Sequence, residues 1–220
     1  MPDLRKYLKK YYPVIFLLIV FAVCVDMLAM VWKVAEPLIS GNERDEVVAQ
    51  LEEAFPSAEG NEWVEVVVTP DDGSEYSIYV IVADDTIINF SFVGVGSGRN
   101  GDIRILISFN YEVGLGEEFD PADVASQATI VLVYVTRHVE TPGIGALIEE
   151  PEFIDPFVGL LVEQIGIPPL KIISGASISS EAMIEIVRAE AEDKLAALPS
   201  AQDIQAALEA KRAEDAAAEG

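Results

Sequence analysis

Cysteine and histidine are almost absent from this chain. Its 220 residues include one cysteine, Cys24, and one histidine, His138. A disulfide within the chain is therefore excluded, and no Cys or His cluster exists that could hold zinc or an iron–sulfur cluster. Cys24 lies within an apolar run, where we interpret it as a small apolar residue and not as a ligand.

Positive charge is also scarce. The chain has 14 Lys and Arg residues against 38 Asp and Glu residues, which gives a net charge of −24, most of it after residue 40. A protein that binds nucleic acid needs basic patches, so this class of function is excluded. The same charge disfavours binding to anionic lipid headgroups. We interpret it mainly as solubility in a salty medium.

One long apolar run stands near the N-terminus, from Pro13 to Trp32, after four basic residues between Arg5 and Lys10. About 20 apolar residues suffice to cross a bilayer as a helix, and a basic flank is typical of the cytoplasmic side. A cleaved signal peptide is the alternative, but no small-residue cleavage site follows. We therefore predict a single membrane span in residues 1–35, with the main domain on the extracytoplasmic face. Asp26 is a costly residue in such a span, and we expect it to meet a neighbouring subunit or the membrane interface.

The rest of the chain predicts one α+β domain, residues 36–198, and an acidic, Ala-rich helix or tail, residues 199–220. The strand candidates are too closely spaced for crossover helices, so the predicted sheet is antiparallel and flanked by helices. Further helices are predicted at Glu43–Phe55, Phe157–Ile165 and Glu181–Leu198, and Ser200 to Asp203 resembles a capping box. The five strand candidates are Trp63–Val68, Glu75–Val82, Thr86–Val93, Asp102–Asn110 and Thr129–Thr136.

Three segments could carry chemistry. Ser174 to Ser180 reads S-G-A-S-I-S-S and precedes a helix, whose free N–H groups and positive dipole end suit a phosphate. His138 to Gly145 reads H-V-E-T-P-G-I-G, in which the glycines let the backbone approach a planar ring. Gly94 to Gly101 is glycine-rich between two strands, and alone it indicates only a flexible hairpin connection.

Taken from the N-terminal to the C-terminal segment, the three segments resemble the membrane-anchored FMN-binding subunits of two related complexes. These are the Rnf ion-translocating electron transport complex and sodium-translocating NADH:quinone reductase. The family reads G-x-G-x-x-G-P-I, then H-x-E-T-P-G-L-G, then S-G-A-T-x-S/T-S. The resemblance implies FMN esterified through its phosphate to the hydroxyl at Ser177. It implies further flavin contacts from Ser174, Gly175, Ala176, Ser179, Glu140, Thr141, Gly143, Gly145, His138, Gly96 and Ser97.

The resemblance departs from the family pattern at two positions. Ser177 stands where threonine is usual, and either hydroxyl can form a phosphoester. Lys171 stands where the family has an aspartate, six residues before the acceptor, in the segment that the flavin transferase reads. A lysine could hold the phosphate by charge but could also disturb that recognition. Two alternatives therefore stay open: a flavin-free structural anchor, and a stand-alone membrane-tethered flavoprotein.

The function that the resemblance implies is electron transfer. The protein would accept and pass electrons through FMN, with no catalytic residue of its own, so it is a carrier within a translocase and not an enzyme by itself. The implied partners are the other membrane, iron–sulfur and flavin subunits of an Rnf-type complex, and a flavin transferase for maturation. The implied location is the cytoplasmic membrane.

Overall fold

The structure is a computed structural model that describes residues 4–56, 60–70, 73–166 and 170–218. The chain divides into two units, Met1–Glu46 and Val47–Gly220. Short 3₁₀ turns lie at Gly145–Glu149, Asp155–Phe157 and Val162–Gln164. In chain order the helices and strands are α1 Leu4–Ala54, β1 Asn61–Val68, β2 Tyr76–Ala83, β3 Thr86–Ser97, β4 Asp102–Gly114, α2 Pro121–Gln127, β5 Thr129–Arg137, α3 Pro151–Ile154, α4 Ser177–Ala196 and α5 Ala201–Ala218.

Helix α1 contains the segment Tyr11–Lys33, which is long and apolar enough to cross a membrane. Its 23 residues extend about 35 Å at 1.5 Å per residue, against a hydrocarbon core of about 30 Å. The prediction of a separate helix at Glu43–Phe55 is wrong, because α1 continues without a break to Ala54. Gly41 lies inside it, and one glycine costs a helix only about 1 kcal/mol, too little to end a helix that propagates cooperatively.

The five strands form one antiparallel sheet in the order β1-β2-β3-β4-β5. Every connection in this meander joins neighbouring strands, as the close spacing of the strand candidates predicts. Asp84 and Asp85 turn the β2–β3 hairpin, and both have positive φ angles, 48° and 58°. Short side chains that bond to their own backbone tolerate this conformation. The hairpin then pairs Ala83 with Thr86.

The two faces of the sheet are covered by different helices. On one face, Phe90, Phe92 and Phe109 of the sheet join the core that α2, α4 and α5 complete. On the other face, Tyr79, Ile81 and Leu106 pack with the last turns of α1. The side chains that the helices contribute are Val124 from α2, Met183, Ile186, Val187, Ala191 and Leu195 from α4, Ile204 and Leu208 from α5, and Val47 and Leu51 from α1.

Helix α5 closes the free edge of β1. Ser200 caps it as predicted, because its hydroxyl donates to Asp203 at 2.6 Å and accepts from the Asp203 N–H at 3.2 Å. The Lys211 ammonium donates to the Trp63 carbonyl at 2.7 Å, and Arg212 pairs with Glu62. Residues Ala201–Ala218 therefore form a helix that packs against β1.

One predicted helix is absent from the structure, and one observed helix was not predicted. The helix at Phe157–Ile165 is wrong: Gly159 donates to the Ile130 carbonyl at 2.7 Å, and Ile130 donates to the Leu160 carbonyl at 2.9 Å. Pairing with β5 thus holds this apolar run in extended and 3₁₀ backbone. Helix α2 was not predicted, although Asp120 caps it and Pro121 begins it, which are ordinary start signals.

These elements confirm the predicted fold class. An N-terminal apolar helix precedes an antiparallel sheet of five strands, and helices flank that sheet on both faces.

Candidate functional site

The predicted phosphate turn is a rigid feature before α4. Gly175 takes a positive φ of 87°, and the Ala176 N–H donates to the Ile173 carbonyl at 3.0 Å. The buried Ser180 hydroxyl donates to the Ala176 carbonyl at 2.9 Å and accepts from the Ile173 N–H at 3.1 Å. Ser180 therefore fixes the turn from inside while Ser174 and Gly175 stay exposed.

Ser177 is the first residue of α4, four residues earlier than the predicted helix start at Glu181. Its side chain is exposed, and in the described part of the chain its hydroxyl makes no hydrogen bond. The N-cap residue is Ala176, which provides no side-chain cap. The first N–H groups of a 20-residue helix are thus open beside the Ser177 hydroxyl, the arrangement that an anionic group needs.

A buried carboxylate, Glu140, links three separate segments beside this helix start. Its Oε2 accepts from the Ser179 hydroxyl at 2.6 Å, and its Oε1 accepts from the Asn100 N–H at 3.1 Å. Ser179 belongs to α4, Asn100 to the β3–β4 hairpin, and Glu140 to the chain that leaves β5. Glu140 is only 5% exposed. It therefore joins the hairpin to the N-terminus of α4.

The environment of Glu140 keeps this carboxylate ionised. Burial by itself raises its pKa, but the Ser179 hydroxyl and the N–H groups of Asn100 and Arg99 together lower the pKa below the ordinary glutamate value. Hydrogen bonds to the charged form outweigh the desolvation of that form. Glu140 thus carries a negative charge, and each of its carboxylate oxygens accepts a hydrogen bond from a protein donor.

Two glycines make room for this carboxylate. A Cβ on Gly98 would collide with Glu140 Oε1, and a Cβ on Gly145 would lie 2.8 Å from Oε2 and 3.2 Å from the Ser179 hydroxyl. Both glycines belong to the segments that resemble the family motifs. The room that the Glu140 side chain needs therefore explains why these two motif positions are glycine. Gly143 differs, since its positive φ of 75° serves the turn itself.

His138 and Thr141 extend the same network. His138 Nδ1 accepts from the Glu140 N–H at 3.1 Å, so its proton lies on Nε2, which is 3.2 Å from Glu149 Oε2. The Thr141 hydroxyl accepts from Asn100 Nδ2 at 2.9 Å. The histidine thus supports the loop, and the flavin contact predicted for it stays a prediction.

Gly96 and Ser97 occupy a different environment from the other predicted contacts. A Cβ on Gly96 would overlap the Ile186 side chain of α4, so this glycine lets the helix cross β3 closely. The Ser97 hydroxyl lies 3.4 Å from Asp102 on the exposed hairpin. The flavin contacts predicted for these two residues stay predictions, while packing accounts for Gly96.

A cavity of about 860 Å³ opens beside the phosphate turn. This volume falls within the range of roughly 300–1,000 Å³ that small-molecule sites occupy. Apolar side chains and a few charged ones line it, also typical of such sites: Leu147, Glu150, Glu152, Phe153, Asp155, Pro156, Lys171, Ile172 and Ile173. Since Ile173 is followed directly by Ser174, the cavity adjoins the turn in the chain. The donor set suits a polar, partly aromatic ligand, and within the described ranges no cluster suited to a metal ion occurs.

Comparison with known proteins agrees with this geometry. The family described as "FMN-binding domain" matches residues 121–192, which include Glu140, Ser177 and Ser179. Residues 121–192 are thus similar to FMN-binding domains, and this similarity indicates FMN as the cofactor.

Two known proteins are similar to this chain. The chain is 26% identical over 178 residues to the G subunit of the ion-translocating oxidoreductase complex of Methanosarcina acetivorans, across 78% of this chain and 87% of that protein. The resemblance to this protein is confirmed, and with the apolar segment Tyr11–Lys33 it indicates a membrane protein. A crystal structure of the C subunit of Na(+)-translocating NADH-quinone reductase from Parabacteroides distasonis is 19% identical, covers 63% of this chain and 78% of its own, and has a TM-score of 0.43.

Two residues of the site were given no role by the sequence. Asn100 donates from its backbone to Glu140 and from its side chain to Thr141, and Ser180 fixes the turn. Asn100 is separated from Glu140 by 40 residues, and no periodicity links them. The role of Ser180 could have been inferred, because a serine near the start of a helix can donate a hydrogen bond to the carbonyl of the residue four positions before it.

Proposed function

We propose that this chain is an electron-transfer flavoprotein subunit of a membrane-bound, ion-translocating oxidoreductase complex. The observation that carries the proposal is the FMN-binding domain match at residues 121–192, which spans the open start of α4 and its Glu140 support. The similarity to the G subunit of an ion-translocating oxidoreductase complex extends it to the complex. When bound, FMN supplies the reversible uptake and release of electrons, and the protein places and tunes it.

The finer part of the proposal is a phosphoester at Ser177. Its hydroxyl is exposed at the first position of α4, and the small residues Gly175 and Ala176 leave space for a phosphate. The helix dipole favours a negative group there by only about 0.3–1 kcal/mol. That term is too small to retain a diffusible carrier at an exposed site. A covalent bond would remove this loss, which is the physical reason for proposing one.

The remaining predicted residues would hold FMN or its surroundings in two ways. Ser174, Gly175 and Thr141 are exposed and available to a ligand, whereas Glu140 and Ser179 already bond to each other. We assign to Glu140 and Ser179 the positioning of α4 and the 141–145 loop. The main domain would lie on the extracytoplasmic face, since the basic residues precede the span.

Flavin retention after denaturation tests the Ser177 proposal. Full-length chain made in its native host should give a fluorescent band on a denaturing gel, and Ser177→Ala should give a dark band of equal intensity in protein stain. Ser126→Ala is the matched control, because Ser126 is an exposed serine within the matched domain whose hydroxyl only caps a local carbonyl. A fluorescent Ser177→Ala band would rule out this attachment site.

The two alternative functions predict different outcomes in the same preparation. A flavin-free structural anchor would show no flavin absorbance in the native chain but would still purify with multispan partners from mild detergent. A stand-alone tethered flavoprotein would carry flavin and purify alone. The proposed function requires both the flavin and the partners.

A further inference from the structure

Among the described residues that line the 860 Å³ cavity, Lys171 is the one with a cationic side chain. Three carboxylates, Glu150, Glu152 and Asp155, line the same cavity. Within the described residues Lys171 is exposed and makes no ion pair or hydrogen bond. The cavity therefore has a negative lining with a single positive group that is not engaged by the protein.

The position of Lys171 in the chain relates this cation to the flavin site. Lys171 to Ile173 line the cavity and lead directly into the Ser174 to Ser177 turn. Phe153 and Leu147 provide apolar surface in the same cavity, as a planar ring system needs. A ligand held at Ser177 would thus lie a few residues along the chain from a concave surface.

We propose that Lys171 offsets the negative charge that a flavin gains on reduction, and so raises the reduction potential of this protein. The inference rests on the proposed function, because it needs FMN at the Ser177 turn. Two electrons from an external donor and one proton from solvent convert oxidised flavin to its anionic reduced form, so the ring gains one net negative charge at neutral pH. A nearby cation favours the charged form, and nearby carboxylates disfavour it.

The carboxylates provide a control for the proposal, because they should shift the reduction potential in the opposite direction to Lys171. Glu150, Glu152 and Asp155 should lower the reduction potential, and Lys171 should counteract them. Removing the lysine charge should therefore lower the potential, whereas removing one carboxylate charge should raise it. A general loosening of the site would not shift the reduction potentials of the lysine and carboxylate variants in opposite directions.

Reduction potentials of the full-length chain, measured in detergent against reference dyes, test this directly. Lys171→Gln and Lys171→Met should have lower potentials than the unmodified chain, Lys171→Arg should resemble it, and Glu150→Gln should have a higher potential. Arg212→Gln removes an equal charge from α5, where Arg212 pairs with Glu62 of β1 at the opposite edge of the sheet from β5, and it should leave the reduction potential unchanged.

Sulfite affinity provides a second readout that does not depend on electron transfer. Sulfite adds to the oxidised ring and leaves a negative charge on it. Lys171→Gln should therefore bind sulfite about tenfold more weakly, which is the change in affinity expected when a lost charge interaction equals one pKa unit. Equal potentials and equal sulfite affinities would overturn the proposal. Loss of flavin from both neutral Lys171 variants would also overturn it, since Lys171 would then hold the flavin and not tune it. Absence of flavin from the unmodified chain would instead contradict the proposed function.

Discussion

Replacing Glu140 with alanine should destabilise the domain more than any surface substitution. The change leaves three donors without their acceptor: the Ser179 hydroxyl and the N–H groups of Asn100 and Arg99. Each buried donor left unpaired costs about 1–3 kcal/mol. Water can reach part of the space that the side chain leaves, so we take the lower values and expect a loss of about 3 kcal/mol.

Thermal unfolding of the full-length chain in detergent measures this loss. For a protein of this size, about 3 kcal/mol corresponds to a fall in Tm of roughly 6–12 °C. Glu140→Gln keeps the shape and one oxygen, and should cost only about 1 kcal/mol, since charge-assisted bonds become neutral ones. Glu118→Ala, at an exposed glutamate, is the control and should stay within about 0.5 kcal/mol. A Glu140→Ala chain with the same Tm as the Glu118→Ala control would refute this reasoning.

The same carboxylate predicts a pH dependence of stability. The pKa of Glu140 is lower in the folded state than in the unfolded state, so the unfolded chain binds the proton more tightly. Its contribution is therefore fully present above the unfolded value of about 4.3 and is lost as the pH falls through the folded pKa. Glu140→Gln should remove this part of the acid destabilisation and leave stability at neutral pH less affected. A Gln variant with the unmodified pH profile would contradict it.

Three further predictions concern other parts of the chain. Gly96→Ala should cost about 1–3 kcal/mol by overpacking Ile186, but should cost much less in an Ile186→Ala background; an equal cost in both backgrounds would contradict the close contact. Asp26→Leu should loosen the purified complex without removing flavin, whereas Met27→Leu in the same span should not; an intact, fully active Asp26→Leu complex would show that the residue is only tolerated. Protease added to intact cells should cut beyond Ser40, and full protection until lysis would overturn the proposed orientation.

Much of the fold follows from local signals in the sequence. The strands have Val- and Ile-rich runs, and Asp84 with Asp85 supplies the turn that sets the β2–β3 register. The apolar stripe of α4 is likewise a local pattern. The start of α4 was missed because Ala176 gives no side-chain cap, while Ser180 supports the turn through backbone groups that no cap signal reveals.

The wrong helix at Phe157–Ile165 and the missed role of Asn100 share a physical cause, which is pairing between distant segments. Phe157 to Ile165 has the composition of a short helix, but the backbone of Gly159 and Leu160 bonds to Ile130 of β5. Asn100 meets Glu140 only after the sheet has formed. Spacing along the chain gives no information on such contacts, so the motif residues could be identified while the bonds between them could not.

The mass of the peptide that contains Ser177 tests the central claim most directly. In full-length chain purified from its native host, this peptide should carry the mass of FMN less one water, and fragmentation should place that mass on Ser177 itself. The account also predicts that the peptide from Ser177→Ala chain has its unmodified mass. An unmodified Ser177 peptide together with no bound flavin in the native chain would contradict the account.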